Sequence, residues 1–297
     1  MIKKICVSLA LLAWLWTVPA IAQDAGWINN FEGQPENYRL KRGDETVPVA
    51  LFTVVQVGDE ISIQEQNATI ELSLGGGTQS VRVTEENSPF LVTEGSQVPA
   101  SLDKLWAWTT QRFSDWRELV PSQQNPEQPE QNSCASVLMP LLDNVTGYAL
   151  LAAGKRPVHL QWYGGESPYG VLITQGRKNL LTKATTTSTI ATEAITFKAG
   201  RSYRVMVFDS TGTEFKRGFL AVNPPQLLNV PELEEAVLPD NVQKTLLAIW
   251  LAKQGGGSWN FEAYQHVAPL TDYQPALLLK EALARKQEAQ NCRGLRG

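Results

Sequence analysis

The chain has 297 residues, 26 of them basic and 30 acidic, and its formal net charge is −4. Nucleic acids and anionic lipid surfaces select clustered positive charge, so this balance argues against both as partners. Only two histidines and three cysteines are present, with no Cys-x-x-Cys or His-x-x-x-His spacing, so we predict no metal site and no cofactor.

The first 22 residues have the pattern of a secretory signal peptide. Lys3 and Lys4 precede an apolar run from Ile5 to Ile21, which ends in small residues at Ala22. The run is short for a membrane span, which needs about 20 apolar residues, and no basic segment follows it. We therefore expect cleavage after Ala22, a periplasmic location, and no integral membrane span in the mature chain.

Two cysteines remain after this cleavage, Cys134 and Cys292. In an oxidising compartment they can pair, which would tie the start of the middle region to the C-terminal tail. Geometry decides whether two thiols pair, so the alternative of two unrelated thiols stays open.

Residues 27–97 are predicted to form a module of short strands. Apolar and polar residues alternate, as expected for strands with one buried and one wet face. The alternating segments are 47–51, 60–63, 68–74 and 80–83. Turn signals separate them at Gly58-Asp59 and at the glycine triplet 75–77.

A family resemblance lies within this module. Val57-Gly58-Asp59-Glu60-Ile61 opens an alternating strand, and a glycine turn and Val81-x-Val83 follow it. A Gly-Asp turn followed by short β-repeats resembles the extracytoplasmic FecR domain. The resemblance implies a β-rich periplasmic module for recognition or assembly.

Residues 98–120 are predicted to form an amphipathic helix that is rich in tryptophan. Apolar side chains recur at helical spacing, and Trp106, Trp108 and Trp116 lie in this segment. The aromatic side either packs on the β module or is exposed and binds a partner or membrane headgroups. The polar side carries charges of both signs, which favours a protein partner over anionic lipid.

A linker is predicted over residues 121–133. This stretch contains three prolines and no aliphatic or aromatic residue. Such a composition is typical of an extended, solvated connection between modules.

Residues 134–225 are predicted to form a β-sandwich, because short strands recur at regular spacing. The predicted strands are 158–162, 169–173, 194–197, 203–208 and 219–222. Leu160-Gln161-Trp162, Pro168-Tyr169-Gly170-Val171 and the segment 199–205 resemble fibronectin III and related Ig-like domains. The resemblance implies a core tryptophan and a scaffold with many possible functions. We expect His159 at the surface.

The segment 162–169 of this module is a candidate ligand loop. Trp162, Tyr163, Glu166 and Tyr169 have the aromatic and polar character of a sugar site. The alternative is a hairpin connection in which Trp162 belongs to the core.

Residues 232–290 are predicted to be helical. We expect Asp240 to cap a first helix, the glycines 255–257 to end it, Ser258 to cap a second and Asp272 to start a third. We therefore predict a small helical bundle that packs on the sandwich. The predicted fold is therefore mostly β with a C-terminal helical region.

No residue pattern points to catalysis. Neither histidine lies in the context of a Ser-His-Asp site, and adjacent carboxylates usually point to different faces. We expect a non-enzymatic periplasmic multi-module adaptor, a recognition subunit for an envelope or signalling protein. Two alternatives remain: a glycan or peptidoglycan binder and a secreted hydrolase.

Overall fold

The computed structural model describes residues 23–77, 79–93, 136–143, 145, 147–223 and 238–285. This part of the chain is mostly β and ends in a helical region, which confirms the predicted fold class. No helix among these residues is long and apolar enough to cross a membrane. The signal segment, the tryptophan-rich helix 98–120, the linker, Cys134 and Cys292 lie outside the described residues.

The first module consists of two four-stranded antiparallel sheets. Its strands are β1 (Asp24–Phe31), β2 (Tyr38–Arg42), β3 (Glu45–Val47), β4 (Val54–Gln56), β5 (Glu60–Ile63), β6 (Ile70–Leu74), β7 (Gln79–Val83) and β8 (Phe90–Leu91). One sheet has the strand order β4-β1-β6-β7 and the other β3-β2-β5-β8. Side chains of both sheets contribute to one apolar core.

The strand predicted at 47–51 is wrong, because β3 ends at Val47. Pro48 follows directly, and proline has no N–H to donate to a sheet ladder. The chain then turns at Phe52, which has a positive φ of 64°, while the side chains of Leu51 and Phe52 are buried. The apolar residues at 49–52 therefore fill the core from a loop.

The second module is built from β9 to β17. These strands are β9 (Ala149–Ala152), β10 (Gly154–Arg156), β11 (His159–Gln161), β12 (Tyr169–Gln175), β13 (Lys178–Thr185), β14 (Thr189–Ala191), β15 (Ile195–Phe197), β16 (Arg201–Phe208) and β17 (Glu214–Val222). Five of them form a sheet in the order β13-β12-β16-β17-β9, in which β9 runs parallel to β17.

The remaining four strands of this module form a two-stranded ribbon. β10 pairs with β15 and β11 pairs with β14, both antiparallel. Between the two pairs, the Thr192 N–H donates to the Val158 carbonyl over 2.9 Å, and the Val158 N–H donates to the Thr192 hydroxyl over 2.9 Å. These bonds join the two pairs into one ribbon.

Aromatic rings fill the space between the ribbon and the large sheet. The rings of Phe197 and Tyr203 meet edge to face at 5.0 Å, and Tyr203 stacks on Phe219 at 5.4 Å. The Tyr203 hydroxyl accepts a hydrogen bond from the Lys198 N–H over 2.7 Å. The ring of Tyr203 therefore packs in the core, while its hydroxyl fixes the turn that leads into β16.

Among the described residues, four α-helices accompany the strands: α1 (Pro140–Asp143), α2 (Asp240–Lys253), α3 (Asn260–Val267) and α4 (Gln274–Arg285). The predicted caps are wrong in two cases. Pro239 occupies the N-cap of α2, and the Asp240 carboxylate accepts from Lys244 over 2.6 Å. Ser258 donates to the Gly255 carbonyl, and Trp259 occupies the N-cap of α3.

The helical region packs against both β modules. The ring of Phe261 on α3 lies 5.4 Å from that of Phe219 in the large sheet. At the first module, α4 lies beside β1, and a Cβ added at Gly77 would lie 2.8 Å from Trp27 and 2.9 Å from Pro239. Gly77 has φ +93°, so this close approach requires glycine.

Candidate functional site at the polar seam

The candidate ligand loop at 162–169 keeps most of its aromatic surface inside the protein. Trp162 and Tyr169 are both buried, with ring centroids 5.3 Å apart. Tyr163 is half-buried and its hydroxyl accepts from Gln161 over 3.0 Å, while Glu166 is exposed. The four residues therefore do not form an exposed sugar-stacking surface. Trp106, Trp108 and Trp116 lie outside the described residues.

Asp209 holds this loop in place. Its carboxylate accepts hydrogen bonds from the N–H groups of Thr211 (3.0 Å), Thr213 (2.8 Å) and Glu166 (3.2 Å). Desolvation raises the pKa of Asp209, but the hydrogen bond from the Thr211 hydroxyl and those from the backbone outweigh it, so the pKa lies below its usual value. This carboxylate stabilises two loops of its own chain.

The Gly58-Asp59 turn of the first module is organised in the same way. Asp59 is buried and accepts from Arg42 through Nε at 2.9 Å and Nη2 at 2.8 Å. It also accepts from the Gln56 N–H at 2.8 Å, and Gly58 has a φ of +92°. The Gly-Asp pair thus serves a bidentate ion pair, buried at its carboxylate, that connects β2 to the turn before β5.

A third buried carboxylate lies where α3 meets the ribbon. Glu262 accepts from the Arg156 guanidinium at 2.7 Å, the Ala152 N–H at 2.9 Å and His266 Nε2 at 3.0 Å. Both of its oxygens therefore have donors from β9, β10 and α3. We call the set Arg156, His159, Glu262, Gln265 and His266 the polar seam.

Gln265 covers the backbone of β11 within this seam. Its side-chain oxygen accepts from the His159 N–H at 2.7 Å, and its side-chain nitrogen donates to the His159 carbonyl at 3.0 Å. One amide thus makes the two bonds that a neighbouring strand residue would make. Tyr264 adds a hydrogen bond from its hydroxyl to the Gln161 side chain at 2.9 Å.

The surroundings of Glu262 and His159 in the polar seam lower the pKa of both groups. Burial raises the pKa of Glu262, but the hydrogen bond from His266, the charge of Arg156 and the Ala152 N–H outweigh it, and the pKa is lowered. The pKa of His159 is lowered by burial and by the positive charges of Arg156 and Lys280. The arrangement therefore favours an ionised carboxylate and a neutral imidazole at position 159.

No local pattern in the sequence predicts the polar seam, although both histidines of the chain belong to the seam. Gln265 and His159 are 106 positions apart, and so are Glu262 and Arg156. His159 was expected at the surface and is half-buried. Within the described ranges, no group of three or more His, Cys, Asp and Glu side chains is arranged to hold a metal ion.

Comparisons with known proteins give no family assignment. No family model matches the chain, and a search of the curated proteins finds no match.

Proposed function

We propose that this chain is a non-enzymatic adaptor of the periplasm, a recognition subunit that binds another protein of the cell envelope. One observation carries the non-enzymatic part of this proposal. Asp59, Asp209 and Glu262 are buried carboxylates, and each accepts backbone N–H groups or an arginine of its own chain. These groups stabilise turns and joins between elements, which suits a binding scaffold.

The contacts of the helical region support the adaptor part. Through Phe261 it packs on the second module, and through Pro239 and α4 it lies against the first. Two β modules held in one assembly can offer a partner a composite surface. If they bind jointly, the second contact forms at high effective concentration.

The two family resemblances are compatible with this function. Asp59 in the Gly-Asp turn is fixed by Arg42, so the turn on which the FecR-like resemblance rests is held by side-chain bonds. The buried Trp162 and the Tyr203 hydroxyl bond to the Lys198 N–H support an Ig-like scaffold, where a tyrosine near a strand start makes such a bond. The periplasmic location rests on the pattern of residues 1–22.

Glycan or peptidoglycan binding is the less supported function. It relies on the loop 162–169, in which the buried Trp162 and Tyr169 offer little surface to a sugar. A secreted hydrolase has no specific observation in its favour.

Crosslinking in living cells tests the proposal. The tagged full chain is crosslinked, purified and analysed by mass spectrometry, with Glu166→Ala in the exposed loop as a matched variant. We expect one envelope protein in near-stoichiometric amount from both chains. Recovery of no protein, together with sedimentation of the chain with cell-wall sacculi, would contradict the adaptor and favour the glycan binder.

A further inference from the structure

The longest strand at a sheet edge in the described part of the chain is β13. It has eight residues and is the outermost strand of the five-stranded sheet. Its inner side pairs with β12 along its length, from Tyr169 opposite Thr185 to Gln175 opposite Lys178. No described strand pairs with its outer side, and Thr182, Lys183 and Ala184 are exposed. We call β13 the open edge.

The charge of the open edge differs from that of the chain as a whole. The segment 176–192 contains Arg177, Lys178 and Lys183 and no acidic residue, although the chain has a net charge of −4. Lys183 extends to within 3.4 Å of the Ala191 carbonyl, a long and exposed contact that leaves its charge unpaired among the described residues. The open edge is therefore a positively charged strip whose outer backbone groups have no strand partner in the described part of the chain.

Charge repulsion disfavours the pairing of this edge with β13 of a second copy of the chain. In an antiparallel pair of two β13 strands centred on Leu180 and Leu181, each Lys178 would face the Lys183 of the other copy. Like charges directly opposite each other destabilise a strand pair, whereas opposite charges stabilise it. The charges favour a strand that carries Asp or Glu at these positions.

We propose that the open edge binds an extended, acidic segment of a partner protein, which adds as a further strand to the five-stranded sheet. The backbone of the partner would provide affinity through main-chain hydrogen bonds, and its carboxylates would face Lys178 and Lys183 and select the segment. This inference rests on the proposed adaptor function and names the surface and the chemistry of its partner.

Edge lysines have a second known use, which is to prevent edge-to-edge aggregation. The two roles differ in their response to charge reversal. Glutamate is also a charged residue that protects exposed edges, so a purely protective role should be retained in the Lys→Glu variant. Recognition of an acidic segment does not survive it.

The test places a photo-crosslinking amino acid at Thr182 of the full chain in living cells. A matched probe at Thr196, exposed on β15, serves as the positional control. Both probes are repeated in the double variant Lys178→Glu/Lys183→Glu and in a control with the same charge change, Lys155→Glu/Lys198→Glu. Circular dichroism verifies that the variants are folded.

We expect position 182 to crosslink to an acidic, proline-free segment of one partner. The double reversal at the open edge should reduce this product about tenfold, and the control reversal should leave it unchanged. Reversing the acidic residues of the mapped partner segment should restore the product in the Lys→Glu variant.

Four results would overturn the inference. One is a partner that crosslinks at Thr196 but not at Thr182. Another is a product at Thr182 that the double reversal does not reduce. Either result refutes the acidic partner strand and leaves the adaptor function intact. A product between two copies of the chain refutes the partner identity. No partner from either position or from general crosslinking overturns both proposals.

Discussion

Two strand edges of the second module differ in how their outward backbone groups are bonded. At the ribbon, α3 covers β11, and the Gln265 side chain bonds both the N–H and the carbonyl of His159. At the open edge, the outer side of β13 has no strand beside it in the described part of the chain. At the covered edge, which is the outer side of β11, a side chain of the same molecule bonds the backbone of His159. At the open edge, the proposed partner segment would provide such bonds.

Burial explains why side chains of α3 bond the strands that the helix covers. Buried polar groups that lose their partners cost about 1–3 kcal/mol each, so a helix can cover a strand edge only if its side chains replace the missing ladder. Gln265 and Glu262 do this for β11 and β9. Backbone groups at a solvent-exposed edge can bond water, so the open edge needs no such replacement.

The largest effect is expected at Glu262, which lies beside the covered edge and bonds β9 and β10. Glu262→Ala leaves Arg156 and the Ala152 N–H without their acceptor, and we expect a loss of about 3 kcal/mol in the free energy of unfolding. Urea denaturation measures it, with the exposed Glu193→Ala as control, expected within about 0.5 kcal/mol of the wild type. A loss below about 1 kcal/mol for Glu262→Ala would mean that this carboxylate does not hold α3 to the ribbon.

A smaller effect is expected at Gln265. Gln265→Ala removes both bonds to the His159 backbone and should cost about 2 kcal/mol. It should also accelerate hydrogen exchange of the His159 amide, which NMR can follow residue by residue. The exposed Gln243→Ala on α2 is the control. Unchanged exchange at His159 would show that α3 does not protect this edge in solution.

The pH dependence of stability tests the electrostatics of the covered edge. The pKa of His159 is lowered in the folded state, so the unfolded chain binds a proton first and stability falls as the pH drops below the unfolded pKa of 6.5. The pKa of Glu262 is also lowered, so its contribution is complete above its unfolded pKa of 4.5 and is lost as the pH falls through the folded value.

Denaturation at a series of pH values separates the two groups. His159→Gln should remove the decline that starts near 6.5 and retain the one below 4.5. Equal changes in the stability of the wild type and of His159→Gln between pH 7 and pH 5 would contradict the depressed pKa of His159.

The smallest effect on stability is expected at the open edge. Lys178→Glu/Lys183→Glu changes exposed side chains and should alter the free energy of unfolding by no more than about 0.5 kcal/mol. Thermal unfolding measures it beside Lys155→Glu/Lys198→Glu. A large loss would show that these lysines stabilise the fold itself, and the contrast between the two edges would then fail.

Strands with one buried and one solvent-exposed face could be predicted from the sequence. Strands without this alternation could not. β5, β7 and β16 lie where period-two alternation placed them. β1 was missed because Ala25 to Ile28 are all buried, and a strand covered on both faces shows no alternation. β13 was missed because Leu180 and Leu181 are adjacent at a bulge, which interrupts the alternation.

Side-chain roles at the covered edge were beyond prediction for a different reason. Glu262 and Gln265 lie on one short helix, and their partners lie more than a hundred residues earlier in the chain. Only the packing of α3 on the ribbon brings them together. The helices themselves could be predicted from apolar spacing and the glycine triplet 255–257, whereas their caps depend on local backbone geometry.

Hydrogen–deuterium exchange of the chain, alone and in complex with the partner recovered from cells, tests the central claim most directly. We predict that the segment 178–185 gains at least about tenfold protection in the complex, because the outer amides of β13 acquire acceptors. The segment 159–161, already covered by Gln265, should not change. A complex in which 178–185 exchanges as in the free chain would contradict the account.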